Sequence, residues 1–433
     1  MKYEDNLKSI KEHKIPKWFL DDKIGIFIHW GIYSVPSWAT PNYELGEVDD
    51  DEKWYTENPY AEWYYNTMNI KGSSANLHHK KTYGEDFKYN DFINMWKAEG
   101  FDADKLALIF KDAGARYVVD VTKHHDGFCL WNSKYTSYNS FNMGPKRDIV
   151  KELSDALRKN DIKFGIYYSG LLDWNCSYKP VLNNVDLHNP LTNEDREYAK
   201  FAYNQVKELI DNYKPSIFWN DIGWPKVGEK DLISLLAYYY NNVSDGVIND
   251  RFNNLWQDFY CKEYKKGISS INDKWELCRG LGLSFGYNQV EDDRHLIDKD
   301  ELISLLIQTV SHNGNLLINV GPKADGTIPN NQLERLKYMG DWLKENGEAI
   351  YNTRIYNPQK INDNIYFTQN DEYVYILIDK PENKEYKINL NFDANKCEKI
   401  SNVSMSFKND DGLIIKLDGL NNSHRAVTLK VHK

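Results

Sequence analysis

The stretch "FDADKLALIFKDAGARYVVDVTKHHD" (residues 101–126) changes period partway along. Leu106, Ile109, Phe110 and Ala113 recur at helical spacing, with Asp102 placed to cap the start and Gly114 the stop. Just beyond, "YVVDVTK" (117–123) is a short β-branched run that ends in polar residues. A helix feeding straight into a buried strand is half of a parallel β/α unit. Upstream, "IGIFIHW" (24–30) reads as another buried strand, so the implied order is strand, helix, strand.

The alternation continues in both directions, from residue 24 to about 345. "KFGIYYSG" (163–170) and "SIFWND" (216–221) read as strands, with Ala202, Val206 and Leu209 forming the apolar face of the helix before the latter. Shorter candidates follow at "GVIND" (246–250), "WELC" (275–278) and "NLLINV" (315–320). Seven runs fit an eight-unit barrel with one element unread or irregular. The rival, an open doubly wound sheet, predicts a glycine-rich phosphate loop after an early strand. "GLGLSFG" (280–286) has the wrong glycine spacing and comes too late. After about residue 350 the period becomes two, as in Tyr386, Ile388, Leu390, Phe392 and in Val427, Leu429, Val431. The expected architecture is α/β: a (β/α)8-like TIM barrel over residues 1–348, followed by a small C-terminal antiparallel β-sandwich over 349–433.

Composition narrows the function. A chain of 433 residues with a formal charge of −10 and no basic stripe is a poor partner for nucleic acid. No apolar run approaches the roughly 18–20 residues of a spanning helix, and the N-terminus lacks an apolar leader core. The expectation is a soluble, cytoplasmic protein with no membrane partner, unless a signal peptide was trimmed. Cys129, Cys176, Cys261, Cys278 and Cys397 form neither a C-x-x-C pair nor a dense framework and read as reduced thiols. An aromatic share of 14%, with 13 Trp and 31 Tyr, suits a carbohydrate site, because flat rings stack on sugar C–H faces while their polar tips meet hydroxyls.

In a barrel of this kind, working residues sit at the C-terminal ends of strands. Those ends here carry His29 and Trp30, then His124, His125 and Asp126, then Tyr167 and Tyr168, then Trp219, Asn220 and Asp221, then Asp250 and Arg251. The adjacent His124 and His125 admit three readings: core histidines bonded to backbone, metal ligands, or groups that grip a ligand. A zinc site needs further ligands at recognisable spacing, such as H-E-x-x-H, and no such helix is found. The other doublet, His78 and His79 in "NLHHKK", reads as solvated or part of a loop. Asp221, at the end of an apolar strand, is a helix N-cap, a turn-former before Pro225 or a catalytic carboxylate, since burial without a partner would be costly. Glu62, Glu263 and Glu276 each lie beside an aromatic residue and are candidate partners for it; spacing leaves open which one faces it. A glycosidase pair needs one carboxylate ionised and one protonated near neutral pH, and a nearby Arg251 would hold its neighbour ionised.

Eight ordered motifs then carry a resemblance. "KIGIFIHWGIYSVPSWA" (23–39), "NPYAEWY" (58–64), "TKHHDGFCLWNSKYT" (122–136), "GPKRDIV" (144–150), "YYSGLLDW" (167–174), "FWNDIGWP" (218–225), "GLSFGYN" (282–288) and "GNLLINVGPKADGTIP" (314–329) closely resemble bacterial α-L-fucosidases of glycoside hydrolase family twenty-nine. The resemblance covers almost the whole chain and is loosest over the C-terminal sandwich. It implies a retaining exo-hydrolase that removes terminal α-L-fucose from fucosylated oligosaccharides or glycoconjugates, without metal or organic cofactor. By the same resemblance Asp221 is the nucleophile and Glu263 the general acid/base, with Glu276 as fallback. His29, Glu62, Trp63, His124, His125, Tyr167, Trp219, Arg251 and Phe285 match pocket positions, and Trp54 adds to the rim. Trp219 and Phe285 would suit the C5 methyl and ring face, and the two histidines would orient hydroxyls. A retaining pair should stand about 5–5.5 Å apart. The alternatives are a non-catalytic, fucose-binding, lectin-like barrel and a metal-dependent hydrolase built on the histidines. A homo-oligomer is compatible with the sequence.

Overall fold

Near-continuous apolar strands are stable only where both faces are covered, which is what a parallel sheet wrapped by helices provides. The computed structural model describes residues 2–187, 195–264, 272–362, 364–418 and 425–433. Its first eight strands are β1 (Ile24–Ile28), β2 (Tyr117–Lys123), β3 (Lys163–Ser169), β4 (Ile217–Asp221), β5 (Val247–Ile248), β6 (Tyr260–Glu263), β7 (Trp275–Gly280) and β8 (Gly314–Val320). They form one curled, TIM-like sheet in the order β5-β4-β3-β2-β1-β8-β7-β6, every pair parallel. Inward residues such as Phe27, Val119, Val121, Tyr167, Trp219 and Leu317 pack together inside the barrel. Their neighbours Ile26, Ile28, Val118, Ile166, Phe218 and Ile318 belong to the outer core with the helices.

The element left unread in the sequence is β6. Its four residues, Tyr-Cys-Lys-Glu, are polar and none is fully buried, so no hydrophobic run marks it. It stands at a seam, because the ladder stops between β5 and β6. Side chains take over there. Asp258 Oδ2 accepts from the Ile248 N–H at 2.9 Å, the Asp258 N–H donates to Ile248 O at 3.0 Å, and Asp250 Oδ1 accepts from the Cys261 N–H at 3.1 Å.

Helix Ala103–Asp112 is capped as its sequence predicts: Asp102 accepts from the Lys105 N–H at 3.0 Å, and Gly114 takes φ +92°. The following strand departs from a plain period of two. A register shift between Val121 and Lys123 turns Lys123 outward, over the Tyr168 ring at 4.3 Å, and leaves His124 on the cavity side. The Lys123 ammonium is wholly enclosed and donates to Asp173 Oδ2 at 2.8 Å. Asp173 Oδ1 in turn accepts from the Cys176 N–H at 3.0 Å, and the Trp174 N–H donates to His125 O at 2.7 Å, so this ion pair anchors the loop beside the histidines.

The expectation that His78 and His79 are solvated or part of a loop fails: both are helical, and His79 is buried. It lies on helix Ser74–Thr82, with Nδ1 paired to the Tyr64 hydroxyl at 2.9 Å and Nε2 to Phe87 O at 2.8 Å.

Beyond helix Asn330–Asn346 the chain becomes antiparallel. Strands β9 (Arg354–Asn362), β10 (Ile365–Gln369), β11 (Tyr373–Ile378), β12 (Glu385–Ile388), β13 (Cys397–Lys399), β14 (Ser404–Asn409), β15 (Leu413–Asp418) and β16 (Val427–His432) make two sheets, ordered β13-β16-β11-β10-β9 and β12-β15-β14. The sheets share one core that includes Phe367, Ile376, Ile388, Ile415 and Leu429. Leu390 and Phe392, expected to continue a strand, lie past the end of β12 and still pack on that core. Buried polar contacts fasten the sandwich to the barrel helices: the Ser304 hydroxyl to Asp379 at 2.7 Å and the Trp342 indole N–H to Ala426 O at 2.8 Å. None of the described helices is long and apolar enough to cross a membrane.

Removing one partner of a buried ion pair strands the other charge, at about 3–5 kcal/mol. Asp173→Ala should therefore lower the thermal unfolding midpoint by several degrees. A midpoint unchanged from the parent would show that Lys123 finds other compensation.

Candidate active site

The C-terminal ends of the strands open into a cavity of about 610 Å³. Asp221 closes β4, and the chain turns sharply after it: Ile222 is held at φ 59° and Gly223 at φ 88°. A β-branched residue avoids that region, at roughly 1–3 kcal/mol, and persists there only where its surroundings hold it. Here the Ile222 N–H donates to Asp221 Oδ1 at 2.9 Å, so the turn and the carboxylate fix each other. Asp221 caps no helix; the next helical turn, Lys226–Gly228, begins after Pro225.

Two further donors converge on Asp221. The Tyr167 hydroxyl donates to Oδ2 at 2.7 Å, and Arg251 Nη1 donates to Oδ1. Burial pushes this carboxyl up, but Arg251, His125 and the Tyr167 hydrogen bond more than offset it and hold the pKa below the ordinary value. The other arm of the guanidinium, Arg251 Nη2, donates to Glu263 Oε2 at 2.9 Å. Glu263 ends β6, and its second oxygen accepts from the Tyr60 hydroxyl at 3.1 Å. One guanidinium thus spans the two carboxyls across the seam. It lies over the Trp219 indole, 4.7 Å from the ring centre.

The three histidines are neutral at neutral pH, because burial disfavours the imidazolium: His29 falls to about 3, His125 to about 4, and His124 well below its usual value. Hydrogen bonds assign two tautomers. The Ser169 hydroxyl is committed to Leu172 O at 2.6 Å, so His125 Nδ1, 2.7 Å from Ser169 Oγ, carries the proton. Asn319 presents its amide NH₂ to Phe285 O at 2.7 Å and therefore its oxygen to His29 Nδ1, also at 2.7 Å. In both rings Nε2 is left as an acceptor, as a sugar hydroxyl requires. His125 Nε2 stands 3.9 Å from Asp221 Oδ2. His124 lies parallel to the Tyr167 ring, and its buried Nδ1 has no hydrogen-bond partner among the described residues. No group of three His, Cys, Asp or Glu side chains among the described residues converges as a metal site.

Glu62 lies on another wall, where Oε2 accepts from the Gly286 N–H at 2.7 Å and stands 3.2 Å from the Ser284 hydroxyl. Burial nevertheless pushes it up to about 7. Trp54, Trp63 and Phe285 complete an apolar side, Phe285 standing 4.9 Å from the His29 ring and Trp63 5.1 Å from His125.

The cavity therefore gathers Asp221, Glu263 and all ten side chains expected to bind the sugar. It does not include Glu276. That residue is fully buried and accepts from the Tyr117 hydroxyl at 2.6 Å and the Trp219 indole N–H at 3.1 Å. Burial pushes its pKa up to about 7, a value suited to an acid, yet it has no face on the cavity. Sequence reasoning missed Tyr60, although its motif "NPYAEWY" was in view, and missed Ser169 and Asn319, which set the histidine tautomers. A polar residue that orients another leaves no periodic mark of its own.

Comparison with known proteins matches a family model described as alpha-L-fucosidase over residues 1–348. The alpha-L-fucosidase of Dictyostelium discoideum is 34% identical over 391 residues, which is 85% of this chain and 78% of that protein. Among solved structures, an alpha-L-fucosynthase from Thermotoga maritima, in complex with a fucosyl-fucose azide, is 44% identical and covers 99% of both chains, with a TM-score of 0.92. The alpha-fucosidase of the same organism in complex with fucose is 42% identical, covering 99% of this chain and all of that one, with a TM-score of 0.89. Agreement of motif, fold and length on this scale places the chain, and it belongs to the α-L-fucosidase family.

Proposed function

We propose that this chain hydrolyses terminal α-L-fucose from fucosylated saccharides by double displacement, with residues 1–348 carrying the chemistry and 349–433 a supporting sandwich. The observation that carries the reading is the Arg251 fork, which holds two strand-end carboxyls side by side on one cavity wall. A single planar group touching both favours the close spacing of a retaining pair over the wider gap that leaves room for an intervening water.

Asp221, kept ionised by Arg251, attacks the anomeric carbon and forms a covalent fucosyl ester. Glu263 gives its proton to the departing oxygen, then takes one from the water that opens the ester, so the configuration is retained. Glu263 is the more open of the two, with its side chain 20% exposed against 10% for Asp221, as a group that meets leaving group and water should be. The Nε2 acceptors of His29 and His125 and the carboxyl of Glu62 read the hydroxyls, while Trp219 and Phe285 face the C5 methyl and ring. Two carboxyls poised for bond breaking support a hydrolase over a lectin. The neutral histidines serve recognition, and activity should be unchanged by EDTA.

The direct test is an aryl α-L-fucoside followed by NMR: α-L-fucose should appear first. The β anomer as first product would rule out the double displacement. Asp221→Gly should lose turnover on the order of 10³-fold or more and regain part of it with azide as external nucleophile. Glu263→Ala should impair substrates with poor leaving groups far more than activated aryl fucosides, since only the former need the proton. Equal losses would move the acid role elsewhere.

The pH profile carries a signed prediction. Because the Asp221 pKa is depressed, activity should persist as pH falls and fail only below the ordinary carboxylate range. Arg251→Met leaves burial as the dominant influence, so the acidic limb of kcat/KM should move up in pH whatever the loss in rate. A limb that stays in place would show that Arg251 does not set the ionisation of Asp221.

A further inference from the structure

A buried carboxylate is costly unless its neighbours need it, and well-packed apolar residues can usually replace a buried charge without loss of stability. Glu276 is such a group, beneath the cavity on β7 and opposite Cys261 of β6 and Asn315 of β8 in the sheet register. It reaches across the barrel interior to two other strands, taking the Tyr117 hydroxyl of β2 and the Trp219 indole N–H of β4. Space for the Tyr117 ring exists because residue 25 is glycine; a Cβ there would stand 2.1 Å from the ring. The Trp219 indole lies roughly parallel to Tyr167, with centres 5.7 Å apart, and carries the Arg251 guanidinium on its face. Tyr167 and Arg251 are the two side-chain donors that hold Asp221.

We propose that Glu276 is a positioning residue of this site: by accepting the Trp219 indole N–H it fixes the ring beneath Arg251, and so the fork that spaces Asp221 and Glu263. This rests on the roles proposed for those two carboxyls. Glu276 does not line the cavity and acts through Trp219. A glutamine at 276 keeps the indole contact, its carbonyl accepting from the Trp219 N–H, and gives up only the acceptor that faces Tyr117. A leucine leaves both donors buried and unpaired.

The test compares the parent with Glu276→Gln, Glu276→Leu, Trp219→Phe and the Trp219→Phe, Glu276→Leu pair. Each is assayed on an activated aryl fucoside and on an unactivated fucosyl oligosaccharide, with and without azide. The Trp219 indole N–H resonance, assigned by its absence in Trp219→Phe, is followed by NMR. Glu276→Gln should keep most of kcat and the resonance position. Glu276→Leu should lose about 10- to 100-fold in kcat, equally on both substrates and without azide rescue, more in kcat than in KM, with the resonance displaced. In the Trp219→Phe background the leucine change should add little. The inference is overturned if Glu276→Leu keeps kcat within about twofold. It is also overturned if the loss is confined to the unactivated substrate and rescued by azide, or if the two changes simply multiply. Should the leucine variant not fold, a tenfold loss in Glu276→Gln overturns the inference, and retained kcat with an unmoved resonance supports it. If the parent itself fails to hydrolyse fucosides, the catalytic reading falls first. The resonance then still decides the contact, since one that does not respond to Glu276→Leu overturns the inference on its own.

Discussion

Arg251 stands where the barrel's backbone ladder gives out. Between β5 and β6 the sheet has no strand pairing, and carboxylates of Asp258 and Asp250 tie the two edges instead. Arg251 follows β5 directly and reaches Asp221 on β4 with one arm and Glu263 on β6 with the other. Two carboxylates that close would repel each other and lose hydration, and one would take up a proton. A guanidinium between them changes that balance: it keeps Asp221 ionised, fixes the spacing, and makes the gap in the sheet into a cleft with a charge of each sign.

The rest of the site is arranged around that fork. Trp219 supports the guanidinium from below, Tyr167 supplies the second side-chain donor to Asp221, and Tyr60 donates to the Glu263 oxygen that Arg251 leaves open. Burial strips the histidines of charge, which removes them as competing cations and leaves ring nitrogens for neutral hydroxyls. The adjacent histidine pair that invites a metal reading is here a pair of rings kept neutral by burial, one bonded to Ser169 and the other lying against the Tyr167 ring.

Most of the barrel was legible. The runs at 24–30, 117–123, 163–170, 216–221, 246–250, 275–278 and 315–320 all contain strands, since a parallel strand must be apolar on both faces and so stands out from its helices. β6 was not legible because its four residues, Tyr-Cys-Lys-Glu, are only partly covered and carry no apolar pattern, unlike the buried Val-Ile of β5 across the same seam. Nor was the direction of Lys123: a period of two from Val119 and Val121 would put it inside, and only the register shift sends it outward and His124 inward. His79 was misread for a related reason, since its polar neighbours in the chain are not its neighbours in space.

Residue type and periodicity were enough to specify the barrel, the sandwich and the polar strand ends, because these follow from covalent geometry acting over a few residues at a time. The family motifs added names for the groups at those ends. Which glutamate stands beside Asp221 was settled through space: Glu62, Glu263 and Glu276 look alike in the chain, and the curling of the sheet brings one onto the Arg251 fork, one onto the Gly286 N–H and one beneath the cavity. The histidine tautomers and the ionisation of Asp221 belong to the same class. They depend on hydrogen-bond donors and a counter-charge contributed by separate strands, and no local pattern records an encounter between residues that meet only when the sheet curls.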